Sequence, residues 1–106
     1  MSNVVQFQPK RVSLLRIIHE VAQDSSRIRL GPAIQAEFAT GPVSLRQVIN
    51  CLKNGKISQG PYQDSYGLTC CELEWITAGR LVRVVVSIEG NAPAQRLLHV
   101  LFAEEV

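Results

Sequence analysis

Apolar residues recur at Leu14, Ile17, Ile18 and Val21. That is the i, i+3, i+4, i+7 spacing of one helical face, and it predicts a helix over Val12–Val21. Asp24-Ser25-Ser26 ends it. Arg27 to Leu30 alternates basic and apolar residues, a pattern compatible with one short strand. Gly31-Pro32 breaks the chain, and Pro32 suits the first turn of a helix over Ala33–Ala39, where Ile34 and Phe38 stand at i and i+4. Thr40-Gly41-Pro42 stops that helix. Ser44 then opens the best-defined element: Gln47 completes an S-x-x-Q capping box, Val43 is the staple residue, and Val48, Ile49 and Leu52 form the apolar face. Lys53 and Gly55 close it, Gly55 as the residue just past the helix.

From Lys56 the period changes from 3.6 to two. Lys56–Tyr62 predicts a short strand interrupted by Gly60-Pro61, and Asp64-Ser65-Tyr66-Gly67 a turn. Leu68–Ile76 and Leu81–Ile88 predict strands joined at Ala78-Gly79, and Gln95–Phe102 predicts the last strand after a loop over Glu89–Ala94. Short connections make consecutive strands antiparallel. The expected fold class is α+β: N-terminal helices packed on a C-terminal antiparallel sheet of about four strands. Residues 1–10 read as a flexible tail and 11–106 as a single domain.

The alternation also assigns faces. Cys71, Leu73 and Trp75, with Val82, Val84, Val86 and Ile88, and with Leu98, Val100 and Phe102, form the expected core face. The opposite face carries Cys70, Glu72, Glu74, Arg83, Ser87 and His99, but also Leu81, Val85, Leu97 and Leu101. Four aliphatics are more than a fully solvated face needs. The expected cover is the first helix, a second copy of the chain or a partner protein.

Composition adds little to this and excludes more. The chain's 106 residues suffice for one core without a metal or disulfide staple. No apolar run is long enough to span a bilayer, and Met1–Lys10 lacks the apolar stretch of a secretory signal, so a cytoplasmic, bacterial or phage-borne, membrane-free protein is expected. Cys51, Cys70 and Cys71 read as reduced, buried thiols, because adjacent strand residues point to opposite faces. They show no metal-like spacing with His19 and His99, and no metal or cofactor is expected. Through Lys56 there are eight basic residues against three acidic ones, and after it three against six. The basic helical half is a candidate for phosphate contact or simply a solvated surface.

Val43-Ser44-Leu45-Arg46-Gln47-Val48, Cys51-Leu52-Lys53-Asn54-Gly55-Lys56-Ile57, the strand Arg80–Val86 and the closing Leu97–Phe102 together resemble the bacterial domain-of-unknown-function 4258 family. That family is similar in turn to small RelE-like and BrnT-like ribonuclease toxins. The resemblance implies a RelE-like fold and a metal-independent ribonuclease in a toxin–antitoxin or mobile-element setting. The family's opening motif carries one His and two Arg, and these fall here on Ala33, Glu37 and Gly41. Its closing Tyr falls on Phe102 and the Thr of that strand on His99. The residues that would shuttle a proton and hold phosphate charge are therefore absent at those positions.

Two functional readings follow. In the preferred one, the domain is a non-catalytic protein-binding module using the apolar outer face, with Leu81, Val85, Leu97 and Leu101 as contacts. In the alternative, it binds or cleaves RNA: His99 and Arg83 share the outer face as acid–base and phosphate-binding candidates, with Arg80, Arg96, Tyr62 and Tyr66 at the sheet margins.

Overall fold

A computed structural model describes residues 10–106. The tail expected over Met1–Pro9 lies outside the described residues, and Lys10 is the N-cap of the first helix. Among the described residues three α-helices precede most of the sheet: α1 (Arg11–Ala22), α2 (Pro32–Thr40) and α3 (Leu45–Asn54). The strands are β1 (Ile28–Leu30), β2 (Lys56–Gln63), β3 (Thr69–Thr77), β4 (Arg80–Glu89) and β5 (Leu97–Glu105). The fold is α+β, with five strands in the order β1-β5-β4-β3-β2.

The sheet holds one strand more than the sequence pattern predicts, and it is mixed. The extra member is β1, whose three residues pair in parallel with Leu98, His99 and Val100 of β5. A parallel neighbour needs a crossover, and α2, α3 and the rest of the sheet lie between these two strands in sequence. The other pairings are antiparallel, as expected.

The third helix forms for the reasons its sequence gives. Ser44 accepts from the Gln47 amide, and the Gln47 side chain accepts from the Ser44 amide, so two otherwise orphaned N–H groups are satisfied. At its other end Gly55 is required by space rather than by a left-handed backbone: its φ is −67°, and an added Cβ would lie 2.5 Å from the Cys51 carbonyl oxygen. His19 of α1 is half-buried, with its Nε2 3.0 Å from the Gly55 carbonyl.

All three helices cover one face of the sheet. Leu14, Ile18 and Val21 of α1, Ile34 of α2, and Val48, Cys51 and Leu52 of α3 join Cys71, Leu73, Val82, Val84, Val86, Leu98 and Val100 in one buried cluster. This excludes α1 as the cover for the outer face. Trp75 is only half-buried at the edge of this cluster, not a central core residue.

The assignment of Phe102 to the core is also corrected. Val86 pairs with Val100 but Val85 pairs with Phe102, so Leu101 is an extra residue in β5. The bulge shifts the alternation by one. Ala103 takes the core position opposite Val84, and Phe102 turns outward, 49% exposed.

Candidate functional site

The outer face is ordered by strand register into rows. The first contains Tyr62, Cys70, Ser87, His99 and Arg29, each paired with the next across β2, β3, β4, β5 and β1. The second contains Gln59, Glu72, Val85 and Phe102, with Leu101 in the bulge beside them. The third contains Lys56, Glu74, Arg83 and Glu104. Beyond it lie Ile76 and Leu81, a cross-strand pair.

His99 and Arg83 thus share a face, but the register separates them. His99 pairs with Ser87, four residues along β4 from Arg83, which is roughly 13 Å in an extended strand. One phosphate cannot be reached by both without large movement of the Arg83 side chain. That side chain is engaged elsewhere: its Nη2 donates to Glu74 Oε1 at 2.8 Å, its Nη1 donates to Glu104 Oε1 at 3.0 Å, and Glu72 Oε1 lies 4.0 Å from Nε. The hydrogen bond that the guanidinium donates to Glu74 raises its pKa further. Three carboxylates around one arginine leave no uncompensated positive charge at Arg83, which disfavours a polyanion.

His99 has a looser partner, Glu89 Oε1 at 3.7 Å, and its Nε2 is shielded without a hydrogen bond among the described residues. Beside it, Ser87 and Cys70 are buried although they belong to the outer face. The Cys70 thiol lies 3.7 Å from Asp64 Oδ2, and burial together with that carboxylate pushes its pKa up to about 11. A protonated thiol is a poor nucleophile. Cys51 and Cys71, on the core side, are pushed up to about 12, chiefly by burial. All three cysteines are free thiols. Among the described residues no group of three or more His, Cys, Asp or Glu is placed to hold a metal ion.

The remaining candidates scatter around the margins. Arg80 is exposed at the β3–β4 hairpin and pairs with Glu105. Arg96 precedes β5 and lines a cavity on the helix side. Tyr62 lies on the edge strand β2, and Tyr66, 88% exposed, sits in the β2–β3 turn. The apolar candidates come out closer together. Leu101 is 45% exposed, Val85 and Leu81 are half-buried, and Leu97 is half-buried at the far end of β5. Ile76, 66% exposed, continues the alternation of Cys70, Glu72 and Glu74 on this same face, and Phe102 joins it against the alternation. No strict alternation signals Phe102, because the bulge that turns it outward has no glycine to mark it.

The result is an apolar centre of Val85, Leu101 and Phe102, bordered by the Arg83 carboxylate row on one side and the His99 row on the other. Ile76 and Leu81 form a second apolar point past the charged row. Comparison of the chain with family models, with curated proteins and with solved structures finds no match. No helix among the described residues is long and apolar enough to cross a membrane.

Proposed function

We propose that this domain is a non-catalytic protein-binding module, descended from a toxin-like fold, that seats a partner protein or a second copy on the outer sheet face. The observation that carries this is the bulge at Leu101, which turns an aromatic side chain out of the core and sets it beside Leu101 and Val85. An exposed aromatic ringed by polar and charged groups is the arrangement of an interface anchor.

Both sheet edges support docking on the face rather than at the edge. At one edge β1 is only three residues long. At the other, β2 carries Pro61 and two register shifts. Such edges resist pairing with another strand. The alternative, RNA cleavage, has less support, because Arg83 is held by carboxylates and lies far from His99.

Purified protein incubated with total bacterial RNA separates the two readings. The expected result is intact RNA. Degradation that survives repurification and disappears in His99→Ala would establish the ribonuclease instead.

A further inference from the structure

We propose that a second site, on the helix side of the sheet, binds a small monocarboxylate with a short apolar body. A cavity of about 290 Å³ opens between α1 and the loop end of the sheet. Leu14 and Ile17 of α1, Leu68 of the β2–β3 turn and Ile88 of β4 form its apolar walls, while Asn91 and Arg96 supply polar groups. The volume is at the small end of ligand pockets, which limits the occupant to a small molecule.

Arg96 is the only charged residue on the lining among the described residues. Its side chain makes no ion pair with any carboxylate among the described residues. The contrast with Arg83 is direct, since that arginine has three carboxylates around it. A guanidinium without a protein counter-charge among the described residues, on a cavity lined by both aliphatic and polar groups, matches a carboxylate, which it can grip through two parallel N–H bonds.

The surrounding backbone is fixed. Arg27 Nε donates to the Arg96 carbonyl at 3.0 Å, and its Nη2 donates to the Pro93 carbonyl. Gly90 has φ +99°, and an added Cβ would lie 2.5 Å from the Gln95 carbonyl oxygen. The β4–β5 loop is therefore folded tightly back on itself where it meets the cavity. The site is independent of the protein-binding reading, because it lies on the opposite side of the sheet from Phe102.

The test is an amide NMR titration with sodium octanoate, and with octanol as the uncharged analogue. Wild type, Arg96→Gln and Leu68→Trp are compared, the last chosen to fill the cavity from a half-exposed turn position. Each variant's own spectrum reports whether it is folded. Octanoate is expected to cause saturable shifts at Leu68, Gly90 and Asn91. Its affinity should fall about tenfold or more in Arg96→Gln, the worth of one charge-assisted hydrogen bond, and binding should be lost in Leu68→Trp. Octanol should bind more weakly than octanoate. The absence of saturable shifts at those residues, equal octanoate affinity in wild type and Arg96→Gln, or octanol binding as tightly as octanoate would each overturn the assignment.

Discussion

Val85 faces Phe102 across β4 and β5 on the side of the sheet that carries no helix among the described residues. In an unbroken ladder that partner would be an aliphatic residue of the regular alternation, and Phe102 would be packed beneath the helices. Because the bulge exposes it, Phe102 contributes little to the core. Phe102→Ser is expected to change stability by less than about 1 kcal/mol, whereas Leu98→Ala, at a fully buried position of the same strand, should cost about 2–5 kcal/mol. Urea denaturation of the two variants checks this. A large loss in Phe102→Ser would return that ring to the core.

The β3–β4 hairpin turns through Ala78 and Gly79, with φ values of 54° and 75°. Both residues are in the left-handed region, as a type I′ turn demands. Alanine adopts that conformation at a cost of about 1–2 kcal/mol, and asparagine tolerates it better. Ala78→Asn should therefore raise stability by about 0.5–1 kcal/mol, seen as a higher denaturation midpoint. An unchanged or lower midpoint would mean that the turn is of another type.

Much of this architecture was legible in the sequence because it rests on local chemistry. The capping box at Ser44 and Gln47, the Ala78-Gly79 turn and the β-branched run of β4 each specify their element within a few residues. The partner of β1 was not legible: its three residues are stabilised as a strand by a segment nearly seventy residues away, and nothing local encodes a parallel pairing. The face of Phe102 was not legible either, since a single extra residue reverses every later assignment in a strand. Of the candidate site, the aliphatics Val85 and Leu101 were readable from alternation. The separation of His99 from Arg83 was not, because it depends on the register between strands and not on the face each residue occupies.

The buried thiols make stability sensitive to alkali. Cys51 and Cys71 are held up to about 12, against an ordinary value of 9.0, mainly by burial. As pH rises past 9, the unfolded chain releases protons that the folded chain keeps, so the unfolded state is favoured. The stability these thiols contribute is complete below pH 9 and is lost progressively towards pH 12, by at most about 1.4 kcal/mol per thiol per pH unit. Replacing Cys71 with Val should make the fall in denaturation midpoint between pH 8 and 10.5 shallower than in wild type. Parallel pH profiles for the two proteins would contradict the burial of that thiol.

The most direct test of the binding surface places a photo-crosslinking phenylalanine analogue at position 102 in cells, with the same analogue at Val12 as control. Val12 is 80% exposed on α1, on the helix side of the sheet. The account predicts one discrete protein adduct from position 102, either a dimer of this chain or a complex with one partner. That adduct should be absent from position 12 and lost when Leu101 is also replaced by Asp. No adduct at position 102, equal labelling from both positions, or an adduct made of nucleic acid would contradict the assignment of the outer face as a protein-binding surface.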